Sequence, residues 1–389
     1  MGARTPRGFR DVWGEEAAER ERISCLMLDA ARAWGYTTVE TPVLEYVETL
    51  AAGSGPLLEG EAFRLFDLDG ALLALRPEMT VPLARLVSAR LSQEPGPHRL
   101  AYCADVFREH ASYRGQYRQF RQVGVELVGA SGPTADAECV ALAVQMLEQT
   151  GLREFGVALG DVGVLRALLE AAASDEPWRG SVMDALHARN LVELDRLTRA
   201  SGVAREAAQA LRELPRMRGG FEVLEEARAA LEPLGRADAL EGLAAVRTLL
   251  DSAGVAERVS VDFGIVRGFD YYTGLVLEAH APGLGLPLGG GGRYDGLLGR
   301  FGASLPAAGF AFALERVHIA LAEQGRVPEV TGADIVLAGG DAEESWRVAA
   351  ELRQRGERVF IAGDDRRAAE AKASSLGARV RWLGGGEEP

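Results

Sequence analysis

The chain has 389 residues, of which 47% are apolar and 26% charged, and its formal net charge is −14. This length and composition are typical of a globular protein of two or three domains, so they exclude disorder over the whole chain. The acidic balance gives no indication of an overall basic surface for nucleic acid, although an acidic protein can still carry a local basic groove. No apolar run approaches the roughly 20 residues of a membrane-spanning helix.

Cysteine and lysine usage narrow the chemistry further. Cys25, Cys103 and Cys139 are odd in number and far apart, so we expect neither a disulfide framework nor a metal cluster, and we predict a cytoplasmic location. The first residues also lack the apolar stretch of a secretory signal. Lys372 is the only lysine among 43 basic residues, so binding of phosphate or carboxylate groups would depend on arginine.

Hydrophobic periodicity divides the first part of the chain into alternating helices and strands. From the N-terminus, the predicted elements are a helix over 15–34, a strand over 35–44, a hairpin of 63–68 with 71–75, a helix over 78–93, strands over 99–107 and 119–128, and a helix over 135–150. The hairpin is predicted because Asp69-Gly70 lies between two apolar runs and favours a primed turn.

The composition changes at about residue 164, where alanine, leucine, glutamate and arginine dominate and β-branched residues become scarce. This pattern continues to about residue 256 and predicts an all-helical insertion of three to five helices. Strand patterns return over 258–266 and 271–280, followed by a glycine run, Gly289 to Gly292, and by a strand or turn and a helix over 303–323.

The segment 324–332 is short and polar and contains a proline, so we interpret it as a linker. Beyond it the predicted order is a strand over 334–338, a helix over 342–354, a strand over 359–362, a helix over 366–375 and a strand over 380–383. Such alternation predicts a small parallel sheet. The predicted domains are therefore 1–325 and a short α/β domain over 333–389.

The first cluster with chemical potential is Arg76-Pro77-Glu78-Met79-Thr80, directly after a buried-type strand. One interpretation is a helix start, because proline and glutamate both suit the first turn. The other is that Glu78 is a carboxylate at a strand end that can hold an ammonium group of a ligand. On this cluster alone the first interpretation is favoured.

The second cluster is the hairpin formed by 99–107 and 119–128. Four arginines lie in or beside its loop: Arg108, Arg114, Arg118 and Arg121. They repel one another unless an anion is present, although a solvated hairpin tip is the alternative. The strand alternation places Gln122, Gly124 and Glu126 on one face, which predicts either a solvent-facing surface or the floor of a polar pocket in which Gly124 leaves room for a ligand.

The third cluster is Arg267-Gly268-Phe269-Asp270-Tyr271-Tyr272 between apolar strands, which is more specific than the glycine run that follows it. Arg316 begins a helix after a strand of small residues. Taken singly, Arg316 is best interpreted as a solvated surface charge.

The order of these clusters resembles the core of the class II aminoacyl-tRNA synthetases, in particular the histidine-specific branch, over about residues 5–325. The resemblance is carried by Pro6-Arg7-Gly8-Phe9-Arg10-Asp11, Thr41-Pro42-Val43-Leu44-Glu45, Arg76–Thr80, Phe107–Glu126, Arg267–Tyr272, Gly290–Gly296 and Gly309–Arg316. It implies an α+β fold, an antiparallel sheet of about six strands flanked by helices, and a dimer that forms through the region of Pro42.

The resemblance also implies a set of histidine-binding residues: Glu78, Thr80, Arg108, Gln122, Glu126, Arg267, Tyr271 and Tyr272. In this set carboxylates would meet the ammonium and imidazole groups of histidine, and an arginine would meet its carboxylate. Arg108 and Arg316 would mark a vestigial nucleotide site. No catalytic residue or cofactor is implied. No metal is implied either, because no cysteine and histidine spacing fits a metal site.

Two branches of this family remain to be distinguished: the histidyl-tRNA synthetases and the regulatory subunits of short-form ATP phosphoribosyltransferase. His110 stands where the synthetases have a glutamate for adenine, and Gln116 replaces an arginine used near the ATP phosphates. The C-terminal segment is also shorter than an anticodon-binding domain and ends in an acidic tail, a poor surface for nucleic acid.

These departures favour the regulatory subunit, which would bind L-histidine for feedback control of the first step of histidine biosynthesis without being catalytic. Its partners would be the catalytic subunit and a second copy of itself, with no tRNA and no membrane. The alternative is a histidyl-tRNA synthetase with a shortened anticodon-binding domain, for which the retained Arg267 and Arg316 are the best evidence. A stand-alone histidine sensor is the third possibility.

Overall fold

The computed structural model describes residues 4–54, 62–109, 117–172, 175–199, 203–265, 271–330 and 332–383. His110, Arg114, Gln116 and Arg267, which the sequence singled out, lie outside these ranges, as does the tail from 384. Within the described ranges, no helix combines the length and the apolar character that crossing a bilayer requires.

The chain forms two compact units. The core unit comprises Met1–Asp11 and Ile23–Val327, and the C-terminal unit comprises Val12–Arg22 and Pro328–Pro389. The sequence divided the chain at 325 and 333 and gave no indication that Val12–Arg22 would group with the C-terminal segment.

The core unit is built on a nine-stranded sheet in the order β1-β5-β6-β12-β11-β10-β7-β9-β8. Its strands are β1 Thr37–Thr38, β5 His98–Phe107, β6 Gln119–Val128, β7 Gly156–Asp161, β8 Arg218–Gly219, β9 Val259–Asp262, β10 Leu275–His280, β11 Gly289–Arg293 and β12 Ala307–Ala313. The six strands from β5 to β7 in this order pair antiparallel, as the predicted fold requires. Short strands that pair parallel with β5 and β7 extend the sheet beyond the predicted number.

The register of the sheet decides which residues share a face, because directly paired residues point to the same side. Glu126 pairs with Gly309, Gly309 with Gly292, and Gly292 with Val276. Two residues before Gly292 on β11, Gly290 pairs with Glu278. The face of Gln122 and Glu126 therefore continues across four strands as a surface of small and polar residues.

The opposite face of the sheet is the main hydrophobic core. Val125 and Leu127 of β6 and Phe310 of β12 pack there in one cluster with Leu142 and Leu147. Helix α1, Gly14–Ala33, belongs to the core unit from Ile23 onward. The other helices of the core unit are α2 Val47–Ser54, α3 Thr80–Leu86, α4 Gly132–Gln149, α5 Val162–Ala171, α6 Glu176–His187, α7 Leu191–Thr198, α8 Arg205–Glu213, α9 Val223–Leu231, α10 Glu241–Ser252 and α11 Leu314–Glu323. Burial of one sheet face against helices leaves the polar face available for a site.

The helical insertion contains six α-helices, α5 to α10, within the described residues, so the prediction of three to five was too low. One reason is Asn190, whose side chain accepts a hydrogen bond from the Glu193 N–H and starts α7 directly after α6. The apolar spacing continues across this break, and the sequence pattern alone therefore does not separate the two helices.

A second, three-stranded sheet in the order β2-β4-β3 lies beside the first in the core unit, formed by β2 Leu44–Tyr46, β3 Arg64–Phe66 and β4 Leu72–Leu75. The predicted hairpin is confirmed, since β3 and β4 pair antiparallel around Gly70, whose φ is +87°. The strand predicted over 35–44 is wrong as one element. It is divided into β1 and β2, which belong to different sheets.

The C-terminal unit contains a three-stranded sheet in the order β14-β13-β15, and the predicted parallel pairing and alternation of strands and helices are confirmed. Its elements are β13 Ile335–Gly339, α12 Ala342–Gln354, β14 Val359–Ile361, α13 Arg366–Leu376 and β15 Arg379–Leu383. Ile335 and Leu337 pack with α12, whereas Val336 and Ala338 pack with α13. The two helices therefore cover opposite faces of the sheet.

Candidate functional site

A cavity of about 330 Å³ opens on the polar face of the large sheet. This volume lies near the lower end of the range for small-molecule sites, about 300–1,000 Å³, and suits a ligand of amino-acid size. Seven of the residues singled out in the sequence line it: Glu78, Thr80, Arg108, Gln122, Tyr271, Tyr272 and Arg316. Pairing of distant strands thus brings together clusters that lie more than two hundred positions apart.

Glu78 lies at the start of α3 and accepts hydrogen bonds from two backbone N–H groups. Its Oε2 lies 2.5 Å from the Thr80 nitrogen and its Oε1 lies 2.9 Å from the Val81 nitrogen. Burial raises the pKa of Glu78, although these hydrogen bonds and the charge of Arg108 act in the opposite direction. Both interpretations of this residue are compatible with the geometry, because a side chain that starts the helix also lines the cavity.

Glu126 lies beneath the cavity and is only 2% exposed. Its Oε1 accepts hydrogen bonds from the Thr80 hydroxyl at 3.0 Å and from the Tyr102 hydroxyl at 3.4 Å, and its Oε2 accepts one from the Tyr294 hydroxyl. Burial, and to a lesser extent the charge of Glu78, raises the pKa of Glu126 to about 8 despite these three donors. Glu126 therefore orients Thr80 and Tyr294, which face the cavity.

Two glycines allow this arrangement. A Cβ at Gly309 would overlap the Glu126 carboxylate and the Val125 carbonyl oxygen, and a Cβ at Gly124 would lie 2.6 Å from the Tyr102 hydroxyl. The expectation that Gly124 leaves room for a ligand is wrong, because the Tyr102 ring, which is 1% exposed, occupies that space. Glycine at both positions lets a tyrosine and a carboxylate pack against the sheet.

Three tyrosines form one wall of the cavity. The Tyr271 ring meets Tyr272 edge-on at a centroid distance of 4.9 Å and lies 5.4 Å from the Tyr294 ring. Burial raises the pKa values of Tyr271 and Tyr294 well above the usual tyrosine range, so both hydroxyls stay protonated at neutral pH. This wall offers apolar surface with hydroxyl groups at its edge.

The lining of the cavity also includes two arginines and an aromatic ring. Arg108 donates from Nε to the Pro77 carbonyl oxygen at 2.9 Å, and its guanidinium lies 5.4 Å from the centre of the Phe120 ring. Arg316, in the first turn of α11, donates from Nη1 to the Pro287 carbonyl oxygen at 2.8 Å. The interpretation of Arg316 as a solvated surface charge is wrong, because Arg316 lines the cavity.

Gln122 provides a polar group without a protein partner. Its Oε1 is buried and accepts no hydrogen bond from any residue in the described part of the chain. A buried amide oxygen in this state is unfavourable unless a ligand or water donates to it. Since Gln122 lines the cavity, the N–H group of a ligand is the fitting donor.

A buried network holds the tyrosine wall from behind. Arg293 at the end of β11 donates from Nε to Asp136 at 2.8 Å and from Nη1 to Asp295 at 3.0 Å. The backbone N–H of Asp295 donates to the Thr273 hydroxyl at 3.0 Å, and the Thr273 N–H donates to the Arg293 carbonyl oxygen at 2.7 Å. These bonds fix the chain directly after Tyr271 and Tyr272.

Sequence reasoning missed Tyr102, Tyr294 and Glu278 as residues of the polar face. Tyr294 stands in the motif that follows the glycine strand, and Tyr102 pairs directly with Gly124, but only the register shows that both reach Glu126. Glu278 is 3% exposed and pairs with Gly290, which lines the cavity. Glu126, by contrast, was identified from the sequence, although it lies under the cavity wall.

A metal site finds no support in the described ranges, where no three His, Cys, Asp or Glu side chains are grouped so as to hold a metal ion. The chemistry of the cavity is therefore that of carboxylates, hydroxyls, an amide and arginines. Such a donor set suits a ligand with both cationic and anionic groups.

Comparison with known sequences identifies the relatives of the chain. A sequence model of the family described as histidyl-tRNA synthetase matches residues 8–317. An ATP phosphoribosyltransferase regulatory subunit of Moorella thermoacetica is 40% identical over 381 residues, which is 97% of each chain. One of Rubrobacter xylanophilus is 39% identical over 386 residues, which is 98% of this chain and 90% of the relative.

Solved structures give the same result for the fold. The structure of an ATP phosphoribosyltransferase regulatory subunit/histidyl-tRNA synthetase from Bacillus halodurans is 31% identical, covers 99% of both chains and has a TM-score of 0.85. A histidyl-tRNA synthetase from Nostoc sp. PCC 7120, 24% identical, covers 97% of this chain and 90% of its own with a TM-score of 0.82. The predicted class II synthetase-like α+β fold is confirmed.

Proposed function

This chain belongs to the ATP phosphoribosyltransferase regulatory subunits, a branch of the histidyl-tRNA synthetase family, and we propose that it binds free L-histidine in the cavity of the large sheet. A regulatory subunit of this transferase serves histidine biosynthesis, so the end product of the pathway is the expected ligand. Feedback control by that ligand is part of the same proposal.

The observation that carries the proposal is a pair of neighbouring carboxylates, the half-buried Glu78 that lines the amino-acid-sized cavity and the buried Glu126 beneath it. The charges of Glu78 and Glu126 interact, since Glu78 raises the pKa of Glu126. A ligand ammonium or imidazolium beside them would relieve that repulsion. Gln122 adds a buried oxygen suited to an imidazole N–H, and the hydroxyls of Thr80 and Tyr271 complete the polar lining.

The opposite charge of the ligand needs an arginine. Arg108 lines the cavity, and Arg267, outside the described residues, completes the predicted set. A guanidinium meets a carboxylate through two parallel N–H donors, which fixes the orientation of the amino acid. L-histidine, with an ammonium, an imidazole and a carboxylate, matches this distribution of charges.

We propose further that the chain does not itself activate histidine. Arg108 and Arg316 both donate to backbone carbonyls in the present arrangement, and His110 and Gln116 replace family residues that serve ATP. A histidyl-tRNA synthetase remains the second candidate, because Arg108, Phe120 and Arg316 are retained around one end of the cavity.

The proposed partners are the catalytic transferase subunit and a second copy of this chain. The β2-β4-β3 sheet carries several exposed apolar side chains, among them Leu44, Tyr46 and Phe66, of which Phe66 is 75% exposed. Such a surface favours burial in an interface, and it adjoins the predicted dimer region around Pro42. A cytoplasmic location belongs to the same proposal.

Regulation requires that L-histidine bind more tightly to one state of the assembly than to the other. The ligand would then shift the catalytic subunits toward the state that it prefers. If both states bound L-histidine equally, occupancy of the cavity would have no effect on activity.

The test measures three properties separately: L-histidine binding, inhibition of the transferase, and activation of L-histidine by ATP. Calorimetry of the full chain with L-histidine is expected to show saturable binding, and the transferase reconstituted with its catalytic subunit is expected to lose activity as L-histidine is added. ATP–pyrophosphate exchange with L-histidine should be absent. Sustained exchange would establish the synthetase alternative, and binding without any effect on the transferase would favour the stand-alone sensor.

A further inference from the structure

A second cavity, of about 360 Å³, lies between the helical insertion and strand β10 of the large sheet. The end of α6 contributes Leu186, His187 and Arg189, and β10 contributes Glu278 and His280. Ile265 and Pro287 line this cavity and also the first one, so the two cavities share a wall. Neither the family motifs nor the proposed L-histidine site includes the residues from α6.

The charged groups around this second cavity are mainly basic. Glu278 is its one carboxylate among the residues that line it, and Glu278 Oε2 lies 3.1 Å from His280 Nε2. That contact gives the buried carboxylate a hydrogen-bonding partner. His187 and Arg189 add two further basic side chains on the opposite wall.

Arg189 is unusual in its backbone conformation. Its φ is +51°, and it is the only non-glycine with positive φ in the described part of the chain. Hydrogen bonds from the Arg189 N–H to the Leu186 carbonyl and from the Asn190 N–H to the Ala185 carbonyl close α6 in a motif that normally has glycine at this position. Among the described residues, no hydrogen-bond acceptor or carboxylate pairs with the Arg189 guanidinium.

An arginine in a position that favours glycine is a cost to the fold that needs a reason. At this position the side chain lies at the rim of a cavity that already contains two histidines. Arginine and histidine together are suited to a dianionic group, because a guanidinium donates two parallel hydrogen bonds to neighbouring oxygens. Phosphate fits this description better than a single carboxylate, since it offers more acceptor oxygens and more charge.

We propose that this cavity binds a small phosphate-bearing molecule, with its phosphate held by Arg189, His187 and His280. Glu278, at the floor, accepts hydrogen bonds from hydroxyl or amino groups elsewhere on that molecule. The cavity volume suits a ligand of the size of a sugar phosphate rather than a polymer. This site is distinct from the proposed L-histidine site in the first cavity, although the two cavities share a wall.

The test uses the full chain with inorganic phosphate and with pyrophosphate as probes, at constant ionic strength, followed by calorimetry and by thermal unfolding. Saturable pyrophosphate binding is expected, together with a rise in the unfolding temperature. Arg189→Gln is expected to weaken binding about tenfold or more, because it removes a charge-assisted contact. His280→Gln is the second variant and is expected to weaken binding in the same direction.

Two further variants separate this site from its alternatives. Arg205→Gln changes an exposed arginine of α8 that does not line the cavity, so it should leave pyrophosphate binding unchanged. If Arg316→Gln abolishes binding while Arg189→Gln does not, the probe occupies the first cavity and the proposal fails. It also fails if no saturable binding occurs, or if Arg189 is required for binding a tRNA transcript but not for binding pyrophosphate.

Discussion

The acids and the arginines of the first cavity differ in how their charged groups are satisfied. The two acids, Glu78 and Glu126, accept hydrogen bonds only from hydroxyls and backbone N–H groups in the contacts described above. The two arginines, Arg108 and Arg316, each donate to a backbone carbonyl. The acids are thus arranged to receive a cation, whereas the arginines already hold the protein's own carbonyl groups.

This difference has an energetic consequence. A carboxylate that is buried without a cation is disfavoured, and the pKa of Glu126 is accordingly raised to about 8. The three hydroxyl donors offset this effect only in part. Binding of a cationic ligand would lower that pKa. The two acids are therefore stabilised more by a ligand than Arg108 and Arg316 are.

The largest expected effect on stability and binding comes from a side chain at position 309, which would fill the space that the Glu126 carboxylate occupies. In Gly309→Ala the new Cβ would overlap the Glu126 carboxylate and the backbone of β6, so we expect the free energy of unfolding to fall by about 3 kcal/mol and L-histidine binding to be lost. Urea denaturation measures the first effect and calorimetry the second.

Gly299→Ala is the matched control, because a Cβ at Gly299 has no atom within 4 Å. Its unfolding free energy should stay close to that of the wild type. Equal stability of the two variants would show that the close packing of β12 against Glu126 is not required.

Removing the charge of Glu78 should have the next largest effect. Glu78→Gln retains an oxygen that can accept from the Thr80 or Val81 N–H but cannot balance an ammonium, so we expect the Kd for L-histidine to rise about a hundredfold with little change in stability. Glu78→Ala should lose both functions. Calorimetry and thermal unfolding of both variants separate the two contributions.

Asp175→Asn is the control for helix capping, since Asp175 accepts from the Trp178 N–H at the start of α6 and does not line the cavity. It should leave L-histidine affinity unchanged. Wild-type affinity in Glu78→Gln would mean that Glu78 only caps the helix. Glu78 would then not belong to the proposed L-histidine site.

Glu126→Gln should change how stability depends on pH. The folded-state pKa of Glu126, about 8, lies above its ordinary value of 4.5, so the folded chain binds more protons between these values. The stabilisation is complete below about pH 4.5 and is lost as the pH rises through 8. We expect the ligand-free variant to lose about 1–3 kcal/mol less unfolding free energy than the wild type between pH 5 and 8.5.

Part of the slope should remain in Glu126→Gln, because burial also raises the pKa of Glu78. Glu206→Gln, an exposed carboxylate of α8, serves as the control and should follow the wild-type curve. Parallel curves for wild type and Glu126→Gln would show that Glu126 ionises in the folded chain as it does in the unfolded one. Urea denaturation at a series of pH values provides the data.

The smallest effect on L-histidine binding is expected from replacing Arg316. Arg316→Gln removes a donor to the Pro287 carbonyl but no group assigned to L-histidine, so its Kd should change by less than about threefold. Calorimetry against the Glu78 variants measures the contrast directly. A loss of L-histidine affinity comparable to that of Glu78→Gln would mean that the ligand contacts Arg316 as well as Glu78.

Much of the fold follows from local patterns in the sequence. The alternation of strands and helices beyond residue 333 predicts the C-terminal sheet, and Asp69-Gly70 predicts the turn between β3 and β4. These features depend on neighbouring residues, for which periodicity and turn preference are sufficient. The division of 35–44 between two sheets was not predictable in this way, because it depends on which distant strand each half meets.

The candidate site shows the same limit on what can be predicted from the sequence. The family motifs identify Glu78, Gln122 and Glu126 from the sequence, but the partners of Glu126 become visible only when the sheet is assembled. Tyr294 lies 168 positions from Glu126, and the space over Gly124 is filled from the next strand by Tyr102.

The sequence by itself therefore determined the types of element, their order and the acids and arginines that carry the chemistry. The tertiary structure decided which hydroxyls reach those acids, which glycines are covered by side chains of neighbouring strands, and that Arg189 shares a cavity with Glu278 of β10. The physical reason is that hydrophobic periodicity is a local property of the chain. Strand register and the burial of a charge arise only from contacts between residues far apart in the sequence.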